Sequence, residues 1–505
     1  MNKRSESESS THLTAISITD WRIEWLLVTA LFLLSRLVFY VAGVRMSFDG
    51  FPGDWQLLDL RQLRVNALSS IVHLHSQPPL FNLITALLVK VPKGWEYRFA
   101  TGGALVLGFI LFSSAYFLLR ELEVPIATSI FVIVVLLASP ALILYENWYF
   151  YTYATAAMLT LATLGLAKFL RNDLARWGFV YCFALAIVVL LNSTFQWPWM
   201  FVGLVPIAAR YRSRWNLLLR VTILPVVFVA SWYAKDLIMF HTYSTSSWLG
   251  MNMTHVTIDS AGKSTLETMV GNHQLSSIVL VPSFASIDGY VPRLIPSHPR
   301  GGARVLNSRT EDGSFTNFNN INFIAISNAY LRSDLSFIAR HPVTYLSNVS
   351  KAIQVFAVPA DEYMWVARNA AKIKDYASWY NKVVMLQPSY VDPYKYTVES
   401  GYTSGGTGVR THWTYESFSE IVELLTMLLL VPYFLIRRRF HAHVSWILAF
   451  ISFCTGYAFL ATNLVELGEN NRFQMDLGPL PLIATAAVGR FAYLRWHNTR
   501  MPEIH

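Results

Sequence analysis

Apolar runs that reach or approach the ~20 residues needed to cross a bilayer recur along this chain and constrain its fold. They read as roughly ten spans, at 21–44, 98–120, 124–143, 148–170, 177–193, 195–210, 217–239, 416–436, 443–464 and 476–495. Composition agrees: 54% of the 505 residues are apolar and 14% charged, where a soluble protein carries about a quarter charged. The expectation is an all-α polytopic membrane protein with amphipathic helices on its outer surface. Residues 79–91 are also apolar, but about 13 residues cannot cross. The Pro78-Pro79 pair there suits a helix start. Residues 54–91 are therefore expected as amphipathic and re-entrant helices.

The net charge of +9 does not point to nucleic acid. Its excess sits in short loops between spans: Lys168/Arg171/Arg176, Arg210/Arg212/Arg214/Arg220, Arg437/Arg438/Arg439 and Arg490/Arg495/Arg500. This is the positive-inside pattern, and it sets both termini (residues 1–20 and 497–505) on the cytoplasmic side. Residues 21–239 then form one transmembrane module with an outer loop at 45–97, and 416–496 form the C-terminal spans. Between them, 240–415 reads as a mixed extracytoplasmic insert with helices at 322–340 and 343–356. Cys182 and Cys454 fall inside apolar runs and read as small core residues.

With that parity, several polar groups emerge on one face. Asp49 follows the first span; it is either a turn residue beside Gly50 or a partly desolvated general base. His73-Leu-His75-Ser-Gln77-Pro-Pro79 pairs two histidines. Two ligands are too few for a zinc site, so the pair reads as capping the Pro-Pro helix, with His75 and Gln77 turned to a cavity. Glu146 sits between two apolar helices in Leu144-Tyr-Glu-Asn-Trp-Tyr-Phe-Tyr151. The aromatic belt there is ordinary, but the carboxylate is expected to orient a substrate or to pair with Arg98. In Gly468-Glu469-Asn-Asn471-Arg472-Phe473, Arg472 either forms a weak surface pair with Glu469 or clamps a phosphate. Ala261-Gly-Lys-Ser264 lacks the first glycine of a phosphate loop and is set aside. Trp248 and Asn252 could serve a sugar by stacking and hydrogen bonding, or belong to the insert's own core.

Asp49, the His75-to-Leu80 segment, Arg98, and the Glu469–Arg472–Phe473–Pro479 sequence together resemble the GT-C superfamily. Within it the chain is most similar to the bacterial dolichyl-phosphate-mannose, glycosyltransferase family 39-like group. Many members carry adjacent acidic residues where this chain has Asp49-Gly50, and His-Pro-Pro where it has His75-Ser-Gln-Pro-Pro79. The resemblance covers the membrane portion and implies an inverting transferase. A sugar would pass from a polyprenyl-phosphate donor to a hydroxyl of a glycan, lipid or protein acceptor. It implies Asp49 as base, Arg472 and Arg98 on the lipid phosphate, and His75, Gln77, Glu146, Glu469 and Asn471 positioning substrates. It implies a setting in the bacterial inner (plasma) membrane, among membrane lipids. No cofactor is demanded, and a divalent metal is compatible. Two other classes compete. A flippase of a lipid-linked sugar would want polar groups near the bilayer midplane, and a non-catalytic scaffold would not need Asp49.

Overall fold

The computed structural model describes residues 21–51, 53–295, 302–311, 315–389, 416–437 and 440–500. Among them the only strands are Thr310–Glu311 and Phe315–Thr316, an antiparallel pair; the rest is helix and connecting loop. From the N-terminus run α1 (Trp21–Val41), α2 (Leu60–Val72), α3 (Pro79–Leu88), α4 (Glu96–Glu121), α5 (Ile126–Ala138) and α6 (Pro140–Glu146). They are followed by α7 (Tyr151–Asn172), α8 (Ala175–Leu191), α9 (Trp197–Gly203), α10 (Val205–Arg210) and α11 (Trp215–Phe240).

Among the described residues, six helices are long and apolar enough to cross a membrane: α1, α4, α7, α11, Phe418–Ile436 and Ala442–Asn463. Two bent pairs would bring the number to eight: α5 with α6, at 58°, and Asn470–Leu477 with Leu480–His497, at 60°. Of the expected ten spans, six to eight are supported among the described residues. The first bend has a local cause: Ser139 is extended, its Oγ accepts from the Leu142 amide at 3.4 Å, and Pro140 opens α6. This is a capped helix start. The second bend turns on Gly478, whose φ is +54° and whose added Cβ would stand 2.9 Å from that of Ala156. Residues 195–210 break into α9 and α10, each with a proline in its first turn. α8, at 17 residues, reaches about 25 Å, short of the ~30 Å hydrocarbon layer. α3 has ten residues, too few to cross.

Charge separates the two ends of the bundle. Lys168 and Arg171 pair with Glu121 at 2.9 and 3.0 Å, and Arg214 with Asp173 at 2.9 Å. These lie at the C-terminal ends of α4 and α7. Asp49, α2, α3 and the insert gather at the opposite end. The insert's helices Asn322–Arg340 and Pro342–Phe356 stand where periodicity placed them. Its helix Lys374–Val383 lies along α5, where the Tyr376 and Tyr380 hydroxyls donate to the carbonyls of Ala138 (2.5 Å) and Val135 (2.9 Å). The Gly/Ser/Thr-rich run at 400–407 lies outside the described residues.

α7 is central, with 83% of its apolar stretch buried, whereas α1, at 17%, is peripheral. What ties α1 inward is Arg36. Its Nε and Nη2 donate to the Glu146 carboxylate, and the Tyr153 hydroxyl donates to Glu146 Oε2 at 2.6 Å. Arg36 also stacks over Phe32 and Phe112, each 4.6 Å from the guanidinium carbon. Gly108 makes room: a Cβ there would lie 2.6 Å from Glu146 Oε2 and 2.9 Å from the Tyr153 oxygen. Glu146→Ala would strand a buried guanidinium and is expected to cost about 3–5 kcal/mol. Gly108→Ala should destabilise by the same route. Thermal unfolding in detergent measures both, and an unchanged midpoint for Glu146→Ala would show that the pair does not hold α1.

Candidate active-site cavity

The loops at the Asp49 end are laced together before any side chain is placed. Ser47 N donates to Asn147 O (2.7 Å) and Tyr149 N to Ser47 O (2.9 Å). The Trp148 indole nitrogen donates to Asp49 O at 3.1 Å. Gly50, at φ +92°, turns the chain so closely that a Cβ would collide with the Asp54 carboxylate.

Beyond this lacing lies a cavity of about 450 Å³, walled by both the bundle and the insert. The bundle and its loops contribute Trp55, Gln56, Gln77, Gln196, Glu469 and Arg472; the insert contributes Tyr243, Ser246, Trp248, Asn252, His255 and Phe284. Aromatic faces beside amides and hydroxyls make an amphipathic lining. Trp55 stacks on Phe284 at 4.8 Å. Trp248 packs edge-on against Phe284 and Phe318, so it belongs to the insert's core and to the cavity wall at once.

Arg472, 3% exposed, is the charge at the cavity's base. Its Nε and Nη2 donate to Glu469 Oε2 at 3.0 and 2.6 Å, and Nη1 reaches Thr152 Oγ1 at 3.4 Å. The Tyr363 hydroxyl donates to Glu469 Oε1 at 2.9 Å. Burial works to raise the Glu469 carboxyl, but Arg472 and Tyr363 outweigh it and hold it below its ordinary value. The pair is thus buried and fully ionised rather than the weak surface bridge weighed above.

Of the expected site residues, Gln77, Glu469 and Arg472 come together at this cavity. Asp49 does not line it. Its carboxylate faces a second cavity, 3.4 Å from Arg368 Nη1. His75 is buried within the joint between bundle and insert. Its Nε2 meets the Asn319 carbonyl and its Nδ1 the Ser247 hydroxyl, both at 2.9 Å. A carbonyl only accepts, so Nε2 carries the proton, while Nδ1 shares a hydrogen bond with the Ser247 hydroxyl. Both ring nitrogens are therefore committed, and His75 fastens the insert rather than facing the cavity. Arg98 is exposed at the start of α4 with its guanidinium 4.7 Å over Trp95; Glu146 pairs with Arg36 instead of Arg98. Asn471 is 1% exposed, and neither polar atom of its amide has a hydrogen-bond partner. Among the described residues, no group of three or more His, Cys, Asp or Glu side chains could hold a metal ion.

Two ionisable sites escaped the reading of the sequence. Asp54 Oδ2 is shielded without a hydrogen-bond partner; burial, with the nearby Glu469 charge, pushes this carboxyl up to about 7. It stands five positions after Asp49, and the apolar residues around it gave no cue that it turns inward. His255 Nδ1 lies 2.6 Å from Glu466 Oε1, with Asp259 at 3.9 Å from the other nitrogen. Burial works to lower its pKa, but Glu466 and the neighbouring carboxylates outweigh this and raise it to about 9. No pattern links residues 211 positions apart.

No protein-family model, curated protein or solved structure matches the chain. The cavity's chemistry therefore carries the functional argument.

The His255–Glu466 pair generates a pH signature. A histidine raised from 6.5 to about 9 on folding contributes stability in full below pH 6.5 and loses it as pH rises through 9. Glu466→Gln should flatten that part of the profile. Thermal unfolding between pH 6 and 10 reads it, and an identical slope in the variant would show that the pair is not formed.

Proposed function

We propose that the protein is an inverting GT-C-type glycosyltransferase. It moves a sugar from a polyprenyl-phosphate donor to an acceptor hydroxyl at the outer face of a bacterial inner membrane. One observation carries this reading. A buried arginine and a set of amides and aromatic faces line a single cavity at the end of a membrane bundle opposite its basic loops. A sugar on an anionic lipid carrier needs those two chemistries side by side: cationic stabilisation of the departing phosphate and flat apolar surface flanked by hydrogen-bonding groups.

In this scheme Arg472 holds the donor phosphate, its charge balanced by Glu469 in the free protein. Gln77 and Asn252 bond sugar hydroxyls, while Trp55 and Trp248 pack against the ring. A phosphate is already a good leaving group, so the chemistry needs a base rather than a strong acid. Asp54 supports that role better than Asp49: it does not itself line the cavity, but its carboxyl is desolvated, lies within electrostatic range of Glu469 and directly precedes Trp55 in the cavity wall. Asp49 is engaged with Arg368 in the other cavity. The acceptor oxygen gives its proton to the carboxylate and attacks the anomeric carbon opposite the phosphate, which leaves as its anion, inverting that centre.

Mass spectrometry of surface glycans and glycolipids tests this, in cells lacking the chain and complemented with variants. Wild type should restore a missing sugar. Arg472→Gln and Asp54→Asn should each fall by about 10²-fold or more, as expected for lost charge stabilisation and for a lost base. Asp49→Asn should keep most of the activity. A base with a pKa near 7 makes transfer rise between about pH 6 and 8. No glycan change in any expressing strain would abandon the transferase reading; loss on Asp49→Asn with retention on Asp54→Asn would return the base role to Asp49.

A further inference from the structure

The second cavity, about 680 Å³, opens beside α2 and the start of α4. Its floor is apolar, from Phe48, Phe51, Leu88 and Val89, and Arg61, Arg64 and Arg368 reach into it. Two carboxylates also line it, and among the described residues neither pairs with Arg61 or Arg64. Asp49 sits 3.4 Å from Arg368, and Glu96 accepts from the Gly94 amide at 2.6 Å. Arg61 and Arg64 form no ion pair among the described residues, although they stand one helical turn apart on α2 and face the same space. Two like charges held at this spacing repel, and an anion between them would relieve that repulsion.

The surroundings say which kind of anion. Trp95 and Tyr97 are 55% and 57% exposed at the first turn of α4, and Val65 and Leu68 of α2 are 70% and 80% exposed. Exposed Trp and Tyr at the end of a spanning helix mark the level of the lipid head groups. Arginine forks suit phosphate oxygens, and an apolar floor beneath them suits the chain that the phosphate is attached to.

We propose that this cavity binds the phosphate of a lipid head group, gripped by Arg61 and Arg64 with Arg368 completing the site. The inference goes beyond the transferase reading and does not rest on it, since it is decided by binding alone. On the transferase reading it would give the enzyme a second, lipid-anchored anionic ligand beside Asp49.

Calorimetry on the purified full-length protein in neutral detergent tests it with three probes: a short-chain phosphatidic acid, the matching phosphatidylcholine, and inorganic phosphate. Wild type is expected to bind the phosphatidic acid at least tenfold more tightly than either other probe. The double variant Arg61→Gln/Arg64→Gln, with an unchanged thermal unfolding midpoint, should lose at least tenfold in that affinity. If the double variant fails to fold, Arg368→Gln alone should still weaken binding severalfold. Equal affinity in the folded variants, or no preference over phosphatidylcholine, overturns the site. Equal affinity for inorganic phosphate overturns its assignment to a lipid.

Discussion

Charge buried in an apolar bundle has to be answered inside the protein, and this requirement organises the Asp49 end of the molecule. Taking a guanidinium and a carboxylate out of water costs several kcal/mol per ion, so each pair persists only where geometry and further hydrogen bonds offset that cost. Arg472 and Glu469 meet the condition with help from three parts of the chain. Thr152 of α7 approaches the arginine, Tyr363 of the insert donates to the glutamate, and the bent C-terminal pair supplies the arginine itself. The pair therefore cannot be assembled by the spans alone. The insert is part of the cavity's electrostatic structure as well as its wall.

The same logic explains why the insert is fastened where it is. His75 and Asn319 exchange several bonds across the joint. The Asn319 side-chain carbonyl accepts from the amides of His75 (2.9 Å) and Ser76 (3.2 Å), and its side-chain nitrogen donates to His73 O at 3.1 Å. Lys235 of α11 adds a bond to Leu74 O at 2.6 Å. The segment from His73 to Pro79 has no helical ladder of its own to satisfy these groups. It is ordered by contacts drawn from α11 and from two stretches of the insert, and that order aims Gln77 at the cavity.

What the sequence could reveal follows from range. Hydrophobic period and proline placement are local, so α3 opening at Pro79 and the insert helices at 322–340 and 342–356 were legible. Whether an apolar run crosses in one piece depends on details that periodicity hides, such as the Ser139 cap or the Gly478 turn against Ala156. The partner of a buried charge is the least legible. Glu146 reads as a substrate-orienting acid or a partner for Arg98 until α1 brings Arg36 to it across 110 positions. An arginine inside an apolar span was itself a signal, and it went unused. His75 is a hydrogen-bonding residue, as its sequence suggested, but its partners lie in the insert and it does not turn to the cavity.

The described residues between Asp49 and Gln56 wall both cavities. Asp49 and Phe51 face one, and Trp55 and Gln56 face the other. Asp54, with its shielded carboxyl, stands between them in sequence. Gly50's left-handed backbone and close approach to Asp54 leave the turn little freedom, and Trp148 holds it from behind through Asp49 O. On the proposed reading, transfer takes place within the cavity that Trp55 and Gln56 wall, with the neighbouring Asp54 carboxyl, pushed up to about 7, as the base.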